Sequence, residues 1–407
     1  MAAPQIYYFC DMKQLVIVGG GIVGIATAYQ IWMNHPDLKI TIIEKESHLA
    51  AHQTGHNSGV IHSGIYYKPG SLKAQNCLRG YEMLIDFCAQ NNIPYELCGK
   101  VIVATDTSEF DALQTLYNRG VENGLEGLKW LTESEIKVYE PHARGIKGIF
   151  VPQTGIVNYR QLTDALGAVL KASDRVEVLT SEEVRRFEVQ GEMVSIITSK
   201  RTLTAHKVVN CAGLYCDKIA AIAGEKLNVR IIPFRGEYYT IKKEKAHLVK
   251  SLIYPVPDAQ FPFLGVHFTR RITGEIEAGP NAVFAFKREG YTKTSFDFSD
   301  FWGSISWRGF QKVALKYWKT GLGEYYRSFS KAAFTKALQK LIPEIQEHDL
   351  EPAPAGVRAQ AVDKEGNLLD DFYIQESAHF IHVLNAPSPA ATSSLSIGLT
   401  VAERIHL

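Results

Sequence analysis

Two short apolar runs near the N-terminal end, residues 15–18 and 40–43, are rich in Val and Ile and predict buried strands. Between them, a glycine-rich turn leads into residues 22–33, which predict a helix. The order of strand, helix and strand is typical of a parallel βαβ unit. The hydrophobic pattern therefore predicts a parallel α/β sheet at this end of the chain.

Farther along, apolar positions recur at helical or strand spacing. They predict helices over 71–90, 112–121, 159–170 and 215–223, and strands over 101–103, 176–178, 207–211 and 380–384. Between residues 231 and 286, short β-branched and aromatic runs separated by Pro and Gly predict a mainly antiparallel sheet. The strand and glycine turn over 207–213 resemble the first unit, which indicates that the chain returns to the first sheet.

These elements predict an α/β plus α+β fold with two domains. We expect a Rossmann-like nucleotide-binding domain that is discontinuous and comprises residues 1–90, 145–230 and 350–407. Residues 91–144 and 231–349 are expected to form a substrate-binding domain on the mainly antiparallel sheet. A length of 407 residues is sufficient for two domains of ordinary size.

The turn after the first strand has the spacing Gly-x-Gly-x-x-Gly, formed by Gly19, Gly21 and Gly24. Gly19 permits a tight turn, Gly21 lets a phosphate approach the backbone, and Gly24 lets the helix pack close to the strand. Glu44, at the end of the second strand, suits the hydroxyls of an adenosine ribose and would repel a 2′-phosphate. The pattern predicts a dinucleotide of the NAD or FAD kind at the helix N-terminus. The alternative is a glycine-rich turn without a cofactor.

Charge and cysteine content limit the class of protein. The 44 basic and 43 acidic residues give a net charge of +1, so we expect no general attraction for nucleic acid. The six cysteines lack CxxC spacing and predict reduced thiols and no metal site.

Residues 1–11 resemble neither a signal peptide nor a transit peptide, and Met12 is an alternative start to Met1. No window holds the roughly eighteen apolar residues that a membrane span needs, so we expect a soluble or peripheral protein.

A more specific pattern lies in residues 19–24, 52–64, 233–239, 254–257, 356–360 and 385–392. Together these segments resemble the L-2-hydroxyglutarate dehydrogenase and oxidase family, within the superfamily of FAD-dependent enzymes related to D-amino-acid oxidase. The resemblance covers nearly the whole chain, and its most specific blocks are His-Gln-Thr-Gly-His-Asn-Ser-Gly and Asn-Ala-Pro-Ser-Pro-Ala-Ala. It implies bound FAD, a small 2-hydroxy dicarboxylate as substrate and 2-oxoglutarate as product. The short leader departs from that of mitochondrial relatives and favours a bacterial type of location.

Oxidation of an alcohol next to a carboxylate requires a hydride acceptor, a base and cations. The flavin would supply the first, and a neutral imidazole is the base best matched to neutral pH. His382, before the Pro-rich turn, is expected to face the flavin and is the first candidate base; His267, on the antiparallel sheet, is the second. His56 and His62, which are flanked by glycines, are expected to shape the flavin loop. The alternative for each is a structural histidine.

Two substrate carboxylates need two cations. Arg358 corresponds, in the superfamily pattern, to an arginine near the substrate, and its planar guanidinium suits a bidentate pair with a carboxylate. Lys68, at the end of the His-rich loop, is the candidate for the second carboxylate, and the alternative is a solvated loop lysine. Arg235 and Arg270 are further candidates for binding a substrate carboxylate.

The His-rich loop is also expected to contact the cofactor. Thr54, Asn57 and Ser58 offer hydroxyls and an amide for phosphate, ribityl or ring contacts. Val184 occupies the place where the relatives bind adenine through backbone groups.

Two further segments complete the expected cofactor site. Ala212 and Gly213 are expected to pass close to the pyrophosphate. A helix that opens near Pro389, Ala390 and Thr392 is expected to direct its positive end at the flavin ring. We expect the flavin to be bound noncovalently.

Residues 303–320 include a basic aromatic helix. One face of its helical wheel is apolar: Trp307, Phe310, Ala314, Tyr317 and Trp318. The opposite face is basic: Arg308, Lys312, Lys316 and Lys319. The pattern is typical of an interfacial helix on an anionic membrane, where a quinone would reoxidise the flavin. The alternative is a surface helix that packs its aromatic residues into the protein.

Together with the candidate site residues, the family resemblance implies FAD-dependent oxidation of L-2-hydroxyglutarate to 2-oxoglutarate by hydride transfer from C2. We expect the electrons to reach a membrane quinone, with the enzyme in the cytoplasm, peripheral on the inner membrane. Oxygen as acceptor and an amino acid as substrate are alternatives within the superfamily. A flavin-binding module without catalysis is the alternative of another class. The sequence leaves the oligomeric state and the stereochemistry open.

Overall fold

The structure is a computed structural model that describes residues 12–257 and 265–407. Its helices are α1 (Ile22–Asn34), α2 (Leu72–Gln90), α3 (Phe110–Glu122), α4 (Glu133–Tyr139), α5 (Tyr159–Lys171), α6 (Cys216–Ile222), α7 (Phe298–Ile305), α8 (Arg308–Phe329), α9 (Lys331–Leu338) and α10 (Ser394–Ala402). Its strands are β1 (Lys13–Val18), β2 (Leu38–Ile43), β3 (Val60–Ile61), β4 (Tyr95–Glu96), β5 (Lys100–Ala104), β6 (Lys129–Thr132), β7 (Lys147–Val151), β8 (Gly155–Val157), β9 (Val176–Leu179), β10 (Val184–Gln190), β11 (Met193–Thr198), β12 (Thr202–Ala205), β13 (Lys207–Asn210), β14 (Val229–Gly236), β15 (Tyr239–Ile241), β16 (Leu252–Pro255), β17 (His267–Arg270), β18 (Ile276–Gly279), β19 (Val283–Phe284), β20 (Leu350–Pro352), β21 (Gly356–Asp363), β22 (Tyr373–Glu376) and β23 (Phe380–Asn385).

The first sheet has six strands in the order β22-β23-β13-β1-β2-β9. The strands from β23 to β9 are parallel, and β22 pairs with β23 in the antiparallel sense. Val16 at the centre of β1 is in register with Val208 of β13 and Thr41 of β2. The chain therefore returns to the first sheet through β13, as the pattern over 207–213 predicts.

Alternate side chains of β1 face two different layers. Leu15 and Ile17 pack in a core with α1, α2, α5 and α10. Val16 and Val18 pack in a second core with the antiparallel meander β10-β11-β12 and α6. Because both faces of the sheet are covered, its strands are apolar throughout, which explains the continuous runs over 15–18 and 40–43.

The second large sheet has eight strands in the order β20-β15-β18-β17-β16-β5-β7-β6. The β16–β5 pair is parallel and the other pairs are antiparallel. Ile136 of α4 and Phe334 and Leu338 of α9 pack in its core. Two three-stranded antiparallel sheets, β19-β14-β21 and β3-β8-β4, accompany it. The predicted α/β plus α+β fold class with a mainly antiparallel second sheet is confirmed.

Two strands correct the predicted domain limits. Strands β7 and β20 pair within the eight-stranded sheet, although the ranges 145–230 and 350–407 assign them to the nucleotide-binding domain. Both strands lie at the ends of those ranges, where the hydrophobic pattern alone does not show which partner a strand takes. The other domain limits stay a prediction.

Packing of α1 against the first glycine turn requires two of the three motif glycines. A Cβ on Gly24 would lie 2.0 Å from the carbonyl oxygen of Gly19. Gly19 has a φ of +114°, and a Cβ there would lie 2.4 Å from the carbonyl oxygen of Cys211 in the turn after β13. The backbone of α1, the turn and β13 therefore approach one another at distances that only glycine permits.

The predicted basic aromatic helix corresponds to α7 and α8, and α8 is kinked at Tyr317. Trp307, Phe310 and Tyr317 pack with Ile232 and Val362, and the Trp307 Nε1–H donates to the Val362 carbonyl at 3.0 Å. Trp307, Phe310 and Tyr317 are therefore partly buried against the protein, as in the alternative interpretation, whereas Trp318 of the same predicted face is 55 % exposed. None of the helices in the described ranges has both the length and the apolar character that a bilayer span requires.

Candidate active site

A cavity of about 1030 Å³ lies at the carboxyl ends of β1, β13 and β23. Its wall continues onto the antiparallel strands, where Phe234, Tyr254, His267 and Arg358 line it. Crevices outside the carboxyl ends of parallel strands are the usual ligand sites of such sheets. An extended molecule can therefore reach from the glycine turn to the antiparallel strands.

The nucleotide part of the cavity includes five of the predicted contact residues: Gly19, Gly21, Val184, Ala212 and Gly213. A Cβ on Gly21 would meet no described atom closer than the Thr54 hydroxyl, at 3.4 Å, so the packing of the chain does not by itself require glycine there. Helix α1 begins without a side-chain cap, and Thr54 Oγ1 accepts a hydrogen bond from the Ile22 N–H at 2.9 Å. The open end of α1 and the bare Gly21 backbone fit an anionic group such as a pyrophosphate.

Glu44 is buried and lines the same cavity. Its Oε2 accepts from the Gly20 N–H at 2.7 Å, and its Oε1 accepts from the Glu46 N–H at 2.8 Å. These two bonds fix the carboxylate at the end of β2, where the sequence predicts it. Each oxygen keeps a further lone pair for a ribose hydroxyl, and that contact stays a prediction.

The His-rich loop brings Thr54, Asn57 and Ser58 to the cavity wall. The Asn57 side-chain amide donates to the carbonyls of Gln53 and Thr54, at 3.2 and 2.6 Å, and its Oδ1 accepts from the Gly59 N–H at 2.9 Å. Both donors of this amide are therefore occupied in holding the loop. The Asn57 side chain therefore shapes the cavity wall through bonds within its own loop.

His56 and His62 also line the cavity, as their loop position predicts. The His56 ring stacks on Tyr291 with centroids 4.2 Å apart, and its Nδ1 lies 3.2 Å from the Ala355 carbonyl oxygen. His62 Nδ1 is buried and has no hydrogen-bond partner among the described residues. Burial lowers the pKa of His62 to about 3, so its ring is neutral at neutral pH.

The segment before the last helix contributes Pro389 and Ala390 to the wall. Helix α10 begins at Ser394, later than the predicted opening. The Thr392 hydroxyl is fully buried, bonded to the Tyr159 hydroxyl at 2.8 Å, and accepts from the His62 N–H at 3.1 Å. Thr392 does not line the cavity, and its assignment as a cofactor contact is corrected to a support of the wall.

His382 does not line the cavity, which contradicts its assignment as the base. It is fully buried in β23, and its ring stacks near Phe380 with centroids 5.5 Å apart. The Asn210 Nδ2 donates to the Cys216 carbonyl at 2.7 Å and to His382 Nδ1 at 3.0 Å. The neutral ring therefore carries its proton on Nε2, which lies 3.8 Å from Glu225 Oε1, and its acceptor nitrogen is already bonded. Burial lowers the pKa of His382 to about 4.

His267 lies on the cavity wall at the start of β17, and its ring stacks on Tyr254 with centroids 3.9 Å apart. Its Nδ1 lies 3.1 Å from the carbonyl oxygen of Gly265. Since a carbonyl can only accept, Nδ1 carries the proton and Nε2 is the acceptor of the neutral ring. Burial lowers the pKa of His267 to about 4, and the charge of Lys100 contributes to this shift. His267 is therefore neutral at neutral pH, in the state that a general base requires.

Two predicted substrate cations lie away from the main cavity. Lys68 is exposed and lines a separate surface pocket. Arg235 is buried, donates through Nε and Nη2 to Glu237 Oε1 at 3.0 and 2.9 Å, and donates to the Thr292 carbonyl at 3.0 Å. Its assignment to the substrate is corrected, because its guanidinium serves a buried ion pair on the other side of β14.

Arg358 and one lysine that the sequence did not predict are among the cations that line the main cavity. Arg358 lies on β21 in the cavity wall, and burial lowers the pKa of its guanidinium. Lys73, in the first turn of α2, lines the same cavity. Its Nζ lies 2.7 Å from Asp370 Oδ1 and 4.9 Å from the Tyr67 ring centroid. A second candidate cation for a substrate carboxylate therefore lines the cavity, but it is Lys73 in α2 and not the predicted Lys68 in the preceding loop.

Lys100 is a further cation that sequence reasoning missed. It is 1 % exposed at the start of β5, and its Nζ lies 4.3 Å and 4.8 Å from the ring centroids of Tyr66 and Tyr254. Both tyrosines line the cavity, so the amine lies behind its wall. Burial lowers the pKa of Lys100 to about 7. One signal in the sequence could have identified Lys100, namely a lysine within the apolar strand 100–104. A charged residue is rarely buried in such a strand unless it has a partner.

The chain is similar to known proteins over nearly its full length. Residues 14–404 match the family model of FAD dependent oxidoreductases. The chain is 56% identical over 396 residues to an L-2-hydroxyglutarate dehydrogenase of Indibacter alkaliphilus, covering 96% of this chain and 98% of that protein. It is 46% identical to the mitochondrial L-2-hydroxyglutarate dehydrogenase of Homo sapiens over 96% of this chain and 88% of that protein.

Solved structures show the same fold at lower identity. The L-alpha-glycerophosphate oxidase of Mycoplasma pneumoniae with FAD bound superimposes with a TM-score of 0.79 and 22% identity, covering 97% of this chain and 95% of that one. The glycine oxidase of Geobacillus kaustophilus has a TM-score of 0.71 and 17% identity, with 97% and 96% covered. At these identities the likeness concerns the fold and not the substrate.

Three histidines whose pKa is lowered by burial predict an acid-dependent loss of stability. Burial lowers the pKa of His62 to about 3 and those of His267 and His382 to about 4, from an ordinary value of 6.5. Between pH 6.5 and 4 the unfolded chain therefore binds protons that the folded protein does not, so the free energy of unfolding decreases as pH falls. Each histidine contributes about 1–3 kcal/mol to this decrease.

Denaturant unfolding of the parent and of His382→Leu at a series of pH values measures this effect. The variant is expected to lose less stability than the parent between pH 6.5 and 4. Equal slopes for the two proteins would contradict the account of His382.

Proposed function

This chain belongs to the FAD-dependent oxidoreductase family, and on that premise we propose that it oxidises L-2-hydroxyglutarate to 2-oxoglutarate. The observation that carries the proposal is the likeness, over nearly the full length, to proteins named L-2-hydroxyglutarate dehydrogenase from bacteria and animals. The amino-acid-oxidising structural neighbours share the fold at 17% identity or less and carry no argument about substrate.

FAD is the cofactor of this oxidoreductase, and when bound it accepts the hydride from the substrate carbon. The open N-terminus of α1, the bare backbone at Gly21 and the turn at Ala212 and Gly213 would hold its pyrophosphate. Glu44 would bind the adenosine ribose. We propose that these contacts are noncovalent.

We propose that His267 is the general base. The ring would accept the hydroxyl proton of the substrate at Nε2, because Nδ1–H is directed to the Gly265 carbonyl. The buried amine of Lys100 lies behind Tyr254, the ring on which His267 stacks. A positive charge there favours both a neutral imidazole and an anionic substrate.

Substrate orientation would depend on Arg358. Its guanidinium presents paired N–H donors that match a carboxylate, and partial burial strengthens such a bond relative to water. Tyr66, Tyr67, Tyr238 and Tyr254 supply much of the surrounding wall and would exclude water from the reacting atoms.

We propose a membrane quinone as the electron acceptor, with α8 as the docking element. Five side chains of α8, each between 55 % and 78 % exposed, form an apolar stripe. Leu315 precedes the kink at Tyr317, and Trp318, Leu322, Tyr326 and Phe329 follow it at helical spacing. Exposed basic residues accompany the stripe: Arg308, Lys312, Lys316 and Lys319. An apolar stripe with a basic border suits an anionic lipid surface, on which the stripe would enter the headgroup boundary.

Turnover with a soluble quinone analogue tests the proposed reaction. L-2-hydroxyglutarate is expected to yield 2-oxoglutarate and reduced quinone in equal amounts, with no ammonia. Rapid turnover with oxygen in place of quinone would favour the oxidase alternative, and ammonia from an amino acid would favour the amino-acid oxidase alternative.

Replacement of the two candidate histidines separates chemistry from stability. His267→Ala is expected to lower the rate of flavin reduction by about 10²–10⁴-fold, the usual contribution of a general base. His382→Ala is expected to lower the free energy of unfolding by about 2–4 kcal/mol through the cavity that it creates, with a nearly unchanged reduction rate. Stopped-flow reduction and denaturant unfolding distinguish the two, and the reverse pattern would restore His382 as the base.

Removal of the apolar stripe tests membrane docking. The variant Leu315→Ser, Trp318→Ser, Leu322→Ser is expected to bind vesicles of phosphatidylglycerol and phosphatidylcholine at least about tenfold more weakly, because each side chain loses a favourable transfer into lipid. Val138→Ser in α4 removes an exposed apolar residue outside the stripe and is the matched control. Unchanged vesicle sedimentation of the triple variant would reject the docking surface, and a change in oligomeric state alone would assign the stripe to a second copy of the chain.

A further inference from the structure

Three charged side chains meet at the tyrosine-lined end of the cavity. Lys73, Arg358 and Asp370 all line its wall. Asp370 raises the pKa of the Lys73 ammonium against the lowering by burial, and its charge also acts on Arg358. Lys73 and Arg358 in turn repel each other. One carboxylate therefore acts on both cations.

The two partners of the Lys73–Asp370 pair differ in their surroundings. The Lys73 side chain is 10% exposed, whereas the Asp370 side chain is 81% exposed. The ammonium also lies 4.9 Å from the centroid of the Tyr67 ring, a cation–π contact that holds it inside the wall. An exposed carboxylate leaves such a pair at little cost in solvation, but the buried ammonium requires a replacement partner.

We propose that Lys73 binds the distal carboxylate of the dicarboxylate substrate, and that Asp370 is the counter-ion which the substrate displaces. The inference rests on the proposed function and names its specificity-determining residue. The exchange replaces one carboxylate by another at the same ammonium, so no buried charge is left unpaired. Because Lys73 contacts a carboxylate that is exposed to solvent, its ammonium suits the substrate carboxylate that is remote from the reacting carbon.

A structural role is the competing interpretation, in which the pair only fastens the segment around Asp370 to α2. The two interpretations differ in substrate selectivity. If the ion pair has only a structural role, its loss changes the affinity for all substrates equally. If Lys73 binds the distal carboxylate, its loss weakens only the binding of substrates that carry this carboxylate. L-2-hydroxyvalerate, which has a methyl group in place of that carboxylate, is therefore the decisive comparison compound.

The experiment uses the FAD-loaded protein and measures the dissociation constant of each substrate from anaerobic flavin reduction. Lys73→Met is expected to weaken L-2-hydroxyglutarate about 10- to 100-fold, the usual effect of losing a charge-assisted hydrogen bond. Its effect on L-2-hydroxyvalerate is expected to be less than about threefold, within the ordinary range of a lost packing contact. Lys73→Arg is expected to restore part of the selectivity. Lys68→Met, which removes an exposed lysine outside the cavity, is the matched control and is expected to change neither constant.

Asp370→Asn tests the displacement step. Removal of the competing carboxylate is expected to tighten L-2-hydroxyglutarate binding, and weaker binding of this variant would overturn the displacement. Equal losses for both substrates in Lys73→Met, or no loss, would overturn the role of Lys73. If the parent protein were not reduced by L-2-hydroxyglutarate at all, the proposed function would fail instead, so the two failures are distinguishable.

Discussion

The close approach of α1 to the glycine turn after β1 is the constraint on which the site depends. Gly19 and Gly24 bring the turn, the helix and β13 to distances that no Cβ permits, while Gly21 faces the cavity without such a contact. The first and third glycines therefore fix the open end of the helix, and the second leaves room for a ligand. Because the turn, β13 and β23 end at the same edge, one cavity collects the nucleotide contacts and continues to the antiparallel strands.

The far end of the cavity depends on charges that the protein keeps out of water. Lys73, Lys100 and Arg358 lie in or behind the wall, where burial lowers the pKa of each. The charge of Lys100 disfavours protonation of His267. Lys73 and Arg358 line the cavity and offer positive charge to the proposed anionic substrate. The same burial that costs stability at acidic pH thus keeps the ring of the proposed base, His267, neutral at neutral pH.

Sequence reasoning identified the fold class, the glycine motif and the position of Glu44 because each depends on local spacing. It placed His267 and Arg358 on the cavity wall, but it chose His382 as the first base and Lys68 as the second cation. Those choices failed because both positions depend on contacts that are distant in sequence. Asn210 bonds to the His382 ring, and Lys68 lines a surface pocket together with residues of α3. Lys73 and Lys100 were missed for the same reason, since an isolated lysine in a helix or strand does not show which neighbours surround it.

The proposed function requires that L-2-hydroxyglutarate reduces the bound flavin. The most direct test is anaerobic mixing of the FAD-loaded protein with L-2-hydroxyglutarate, D-2-hydroxyglutarate, L-glutamate and D-glutamate, with the visible absorbance of the flavin as the signal. L-2-hydroxyglutarate is expected to bleach the flavin rapidly and completely, with 2-oxoglutarate as the product, and the other three compounds are expected to bleach it little or not at all. Bleaching by an amino acid, or no bleaching by L-2-hydroxyglutarate, would overturn the proposed function.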